Sequence, residues 1–83
     1  MKKEIYVAQR DCLVGLLREL RIEAGLTQID LAARIEKHQV DVSRYESGQR
    51  KLDVLEVREI CQAIGITLEE FVKKLEVVLK QSQ

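Results

Sequence analysis

Leu26-Thr27-Gln28-Ile29-Asp30-Leu31-Ala32-Ala33-Arg34-Ile35 and then, past Glu36-Lys37-His38, Gln39-Val40-Asp41-Val42-Ser43-Arg44-Tyr45-Glu46-Ser47-Gly48 is the stretch that decides the fold. It holds two short helical patterns and a break. Thr27 offers an N-cap, and Asp30 places an acid in the first turn, where the helix dipole favours negative charge. Leu31, Ala32 and Ile35 recur at helical spacing and form the apolar side. No Gly or Pro follows, so Glu36-Lys37-His38 is a polar break by elimination. In the second pattern Val42 and Tyr45 face inward, with the Tyr45 hydroxyl expected at the edge of the core. Gln39, Val40, Ser43 and Arg44 then share the outward side, because Gln39 and Ser43, and Val40 and Arg44, lie four apart, and positions three and four apart are neighbours on a helix. Gly48 is a strong stop, and Gln49-Arg50-Lys51 reads as a basic loop.

The pattern extends in both directions. Upstream, Leu13, Leu16, Leu17, Leu20 and Ala24 form one stripe on a helix from about Val7 to Ala24, stopped by Gly25. Downstream, Asp53 caps a fourth helix with Val54, Val57, Ile60, Cys61 and Ile64 as its core stripe, ended by Gly65. Thr67 and Glu70 form a capping box for a fifth helix, on which Leu68, Phe71, Val72, Leu75, Val78 and Leu79 share one face. The tail Gln81-Ser82-Gln83 is expected to fray. The fold class is therefore all-α, a single domain over residues 1–83, with a helix pair at about 27–47 and a C-terminal helix at about 67–80.

Composition agrees with this class. The chain has 83 residues, no Pro and only four Gly, too short for a second core. Its formal net charge is zero, but the charges are unevenly spread. Residues 37–51 carry four Lys/Arg against two Asp/Glu, whereas residues 52–83 carry four against six. Screening acts over roughly 8 Å at physiological salt, so local bases outweigh distant acids at a contact surface. Cys12 and Cys61 lie on apolar faces without a Cys-x-x-Cys pattern, and His38 is the one histidine, so neither a disulfide nor a metal site is expected. No signal peptide or membrane span is expected, and the chain reads as cytoplasmic. No nucleophile, base and acid converge, so no enzyme activity and no cofactor are expected.

Two short helices joined by a few residues follow the helix-turn-helix plan. Here the sequence resembles the lambda-repressor-like family, also called the Cro/repressor or XRE type. Residues Leu26 to Ile35 and Val42 to Arg50 carry the likeness, joined by Leu17-Arg18-Glu19-Leu20-Arg21 upstream and Arg50-Lys51-Leu52-Asp53-Val54 downstream. The resemblance implies a five-helix DNA-binding domain. It implies that Gln39, Val40, Ser43 and Arg44 read bases in the major groove. Gln can bond adenine, Arg can fork onto guanine, and Val can touch a thymine methyl. Gln28 is implied to bond a phosphate. Lys37, His38, Arg50 and Lys51 would also touch phosphate, which positions without specifying. Ala32 matches the small residue at the helix crossing, and Arg21 and Glu46 match a structural ion pair.

The sequence departs from the family pattern at several positions. Glu36 stands where Gly is usual and would need a left-handed conformation or a reshaped turn. Lys37 replaces an apolar residue, Val40 a polar one and Leu52 a Pro. Asp41 puts an acid on the reading helix, where it could repel phosphate or accept from cytosine.

The fifth helix carries more apolar surface than core closure needs, which marks a partner site. A homodimer is expected, with Phe71, Leu75, Val78 and Leu79 as interface candidates and Ile5 to Ala8 as an added segment. It would set two reading helices roughly 34 Å apart on a palindromic operator. The function implied is sequence-specific transcriptional regulation, as a repressor on double-stranded DNA. With no room for a sensor domain and no small-molecule ligand expected, control would come from concentration or a regulatory partner protein. A second function class fits the same residues: a protein-interaction module on this fold, antitoxin-like or adaptor, with weak or no DNA binding. Its neutral charge, Glu36, Val40 and Asp41 favour it.

Overall fold

Helix stops, more than helix interiors, set the path of this chain. The computed structural model describes residues 1–81, so Ser82 and Gln83 of the expected frayed tail lie outside the described residues. The elements are α1 (Lys3–Glu23), α2 (Gln28–Arg34), α3 (Gln39–Glu46), α4 (Val54–Ile64) and α5 (Leu68–Gln81), with no strand among the described residues. The same hydrogen-bond pair closes each of the first four helices. At the end of α1 the Gly25 N–H donates to Ile22 and the Leu26 N–H to Arg21. At α2 Glu36 donates to Ala33 and Lys37 to Ala32, at α3 Gly48 to Tyr45 and Gln49 to Arg44, and at α4 Gly65 to Gln62 and Ile66 to Cys61. This pattern needs one left-handed residue, which Gly supplies without steric cost. Gly25, Gly48 and Gly65 supply it three times, and Glu36, at φ 56°, is the fourth.

The starts of α2, α4 and α5 are capped as firmly. The Thr27 hydroxyl accepts from Asp30 N–H at 3.0 Å while the Asp30 carboxylate accepts from Thr27 N–H at 2.9 Å. Those bonds hold the Asp30 carboxyl below its usual pKa. Asp53 with Glu56, and Thr67 with Glu70, make the same reciprocal pair.

The core gathers Val14, Leu16, Leu17 and Leu20 of α1, Leu31 and Ala32 of α2, Val42 and Tyr45 of α3, Val57, Ile60 and Cys61 of α4 and Phe71 of α5. Helix α1 packs on α3, α4 and α5, while α2 packs on α3 and α4. Several sequence expectations are corrected. Helix α1 starts at Lys3 and absorbs Ile5 to Ala8, because nothing there breaks a helix and Glu4 suits the first turn. Ala24 lies past the end of α1, and Val54, in the first turn of α4, extends beyond the core. Val72 sits at the margin of its stripe, and all three are exposed. Phe71 is 1% exposed, so the monomer's own core consumes it and it offers no surface to a second copy.

Candidate nucleic-acid interface

The site is built on α3, an eight-residue helix whose two sides have different owners. Val42 and Tyr45 are pinned inside, where they fix the helix's rotation. Gln39, Val40 and Arg44 are exposed on the other side, and Ser43 is half-buried beside them. Asp41 does not lead this edge. Its carboxylate turns back to accept from the His38 N–H at 2.9 Å and so caps the helix. A carboxylate held in the first turn is also stabilised by the helix dipole.

One buried ion pair ties α3 to α1. The Arg21 Nε donates to Glu46 Oε2 at 2.7 Å and Nη2 to Oε1 at 3.1 Å, while Nη1 donates to the Leu26 carbonyl at 2.6 Å. Arg21 is 7% exposed, and the Glu46 side chain is 3% exposed. Donating to the Glu46 carboxylate holds the Arg21 pKa above its usual value. Removing one partner of a pair buried like this costs about 3–5 kcal/mol, because the survivor is stranded. Arg21 therefore stitches the end of α1, the loop into α2 and the end of α3 with one side chain.

Gln28 belongs to the same network. Its Nε2 donates to Glu46 Oε1 at 3.0 Å, and its Oε1 accepts from Gln39 Nε2 at 2.7 Å. Gln28 thus holds Gln39 in place and keeps a second amide N–H for another acceptor.

The basic residues are less alike than their sequence suggests. Arg50 pairs with Glu56 at 2.7 Å. Lys37 and Arg50 line one cleft with Asp41, Glu56 and Glu59, so both face acids as well as solvent. Lys51 Nζ lies 5.4 Å from the Tyr6 ring centroid, and Arg10 approaches the same ring at 5.9 Å. Cation–π contact of this kind restrains Lys51 without neutralising it. His38 is exposed at the α2–α3 turn. Sequence reasoning missed Tyr6, Glu56 and the capping role of Asp41. Only the last had a local signal, an acid three residues into a helix.

Burial also redraws the charge. Glu46 is inside and compensated, and Asp41 is engaged with backbone, so exposed Arg44 carries the charge of the outward edge, with Lys37 and Lys51 exposed in the loops that flank α3. Among the described residues no group of three or more His, Cys, Asp or Glu side chains could hold a metal ion, and no helix is long and apolar enough to cross a membrane.

The helix-turn-helix family model matches residues 17–71. An XRE-family like protein from Pseudomonas syringae pv. tomato is 41% identical, with a TM-score of 0.84 over 90% of this chain and 92% of that one. The restriction-modification controller protein C.Esp1396I is 21% identical, with a TM-score of 0.80 over 86% of this chain and 93% of its own. That controller has been solved as a tetramer on its natural 35 base-pair operator. The clp gene regulator ClgR from Corynebacterium glutamicum is 20% identical, with a TM-score of 0.79 over 89% and 79%. No curated protein matches the chain closely enough to count as a relative.

Proposed function

Because the chain belongs to the XRE-type helix-turn-helix family, matched over residues 17–71, we propose that it is a DNA-binding transcription regulator. In this reading α3 enters the major groove and acts as a repressor by occupying an operator. The observation that carries the proposal is the outward edge of α3. Gln39, Val40 and Arg44 project there, while Val42 and Tyr45 lock the helix from behind. Gln39 and Arg44 carry donors and acceptors complementary to those that adenine and guanine present in that groove, and Val40 and Ser43 complete the edge. Gln28, Lys37, His38, Arg50 and Lys51 flank it as phosphate contacts, with Arg50 shared with Glu56 and Lys51 lying over the Tyr6 ring.

The regulator acts as a homodimer on a palindromic site. With Phe71 inside the monomer, the contact falls to Leu75, Val78 and Leu79 with the exposed Val72 and Val77 of α5. A mobility shift against DNA selected from a random pool tests the function. Specific binding that weakens steeply with salt is expected. Absence of any shift at about 50 mM salt would favour the protein-interaction module instead.

A further inference from the structure

We propose that Glu46, which touches no base, sets the base preference of Gln39 by fixing which way round two amides face. The proposal rests on the DNA-reading function above. The structure supplies an unbroken chain from α1 to the outward edge: Arg21 to Glu46, Glu46 to Gln28, Gln28 to Gln39. A primary amide has two distinct ends, an acceptor oxygen and a donor nitrogen. A carboxylate has only acceptors. Glu46, paired with the Arg21 guanidinium, can therefore meet only the nitrogen end of Gln28. That leaves the Gln28 oxygen facing Gln39, so Gln39 must present its nitrogen to Gln28. Gln39 then keeps one N–H and its carbonyl oxygen for the groove. One donor and one acceptor match the N7 and N6 of adenine.

Reversal changes the base. If position 46 could donate, Gln28 could flip, and its nitrogen would face Gln39. Gln39 would then turn its oxygen inward and show two N–H groups outward. Two donors match the N7 and O6 acceptors of guanine. Glu46 is 3% exposed in its side chain and lies inside the outward edge, so the effect is transmitted, not made by contact. It is a positioning residue for specificity.

Two variants test this. Glu46→Gln replaces the acceptor-only group with one that can donate. Gln28→Ala cuts the chain while leaving the Arg21–Glu46 pair intact, which covers the case in which Glu46→Gln does not fold. In the free protein, side-chain amide protons of Gln39 should exchange with water more slowly than those of exposed Gln49 and Gln62, and Gln28→Ala should abolish that difference. In fragments selected from a random DNA pool, the wild type should prefer adenine over guanine by about tenfold at one position, an effect typical of one bidentate pair. Gln28→Ala should bring that ratio to within about twofold, and Glu46→Gln should reverse it or do the same. Loss of total affinity alone is what a merely structural role predicts, so a folded Glu46→Gln or Gln28→Ala protein that keeps the wild-type ratio overturns the proposal. Wild-type protein that selects no sequence overturns the DNA-reading function itself, whatever the amide exchange shows. Amide exchange of Gln39 equal to that of Gln49 overturns the relay alone.

Discussion

At the scale of single residues, position decides whether a polar group helps or hurts. Arg44 and Lys51 are both exposed cations near α3, yet they should fail differently when removed. Arg44→Ala is expected to relax preference at one base pair, by about 1–3 kcal/mol, while Lys51→Ala weakens all sequences evenly and lowers the salt slope by about one. Equal losses by both variants on cognate and random DNA, measured by titration, would show that the reading edge is misassigned. Tyr45 shows the opposite case. It is 2% exposed, and its hydroxyl is buried with no hydrogen-bond partner among the described residues, not at the core edge as the sequence suggested. Burial drives its pKa well above the usual tyrosine range. Tyr45→Phe should stabilise the fold by about 1 kcal/mol, read from denaturant midpoints, because a buried unsatisfied hydroxyl costs about that much. Cys61 adds a pH effect. Burial pushes its thiol from 9.0 up to about 11. Between those values the unfolded chain has lost a proton that the folded chain keeps, so stability should fall as pH rises through the window. Cys61→Ala should flatten that part of the curve; an unchanged alkaline slope would count against a protonated buried thiol.

Elements were legible where their boundaries obey local chemistry. Gly25, Gly48 and Gly65 marked three ends, and Thr27, Asp53 and Thr67 marked three starts, each from a residue type with one strong backbone habit. From its residues alone the α2–α3 turn was read as a break by elimination, because Glu has no preference for a left-handed backbone, and the family pattern left open a left-handed Glu36 or a reshaped turn. The structure keeps the usual geometry there and accepts the strain at Glu36, φ 56°. Its neighbour Lys37 stands where an apolar residue commonly accompanies this turn. Glu36→Gly should therefore raise stability by about 1 kcal/mol, the steric relief exceeding the entropy that Gly adds to the unfolded chain. A drop in the thermal midpoint would mean that the Glu36 side chain stabilises the turn in some other way. The start of α1 was misplaced for a different reason. Its apolar stripe begins several residues after the backbone turns helical, so periodicity could not see the first turn. The candidate site was legible as positions on a helix face. Its internal wiring was legible only in part: the resemblance paired Arg21 with Glu46, but the bonds from Gln28 to Glu46 and from Gln39 to Gln28 join residues that meet only after the helices pack.

For the molecule as a whole, zero net charge proved a poor guide to its surface. Acids such as Glu46 are spent internally, and Glu56 is spent on Arg50, so the charge that meets a partner differs from the charge in the sequence. Assembly is the matching question for the apolar surface. Exposed Val72 and Val77 beside half-buried Leu75, Val78 and Leu79 lead to the expectation that sedimentation at micromolar concentration will show twice the 9.6 kDa monomer mass. A single 9.6 kDa species at that concentration would remove the α5 dimer and with it the two-fold operator.

The guanidinium of Arg21 has a consequence for how the domain breathes. It is bonded at once to the loop carbonyl of Leu26 and to the last residue of α3. Neither the entry to α2 nor the exit of α3 can fray alone without unfastening that clasp. Fraying at either end costs part of that clasp, so the two ends of the segment that would grip a duplex are coupled through one side chain.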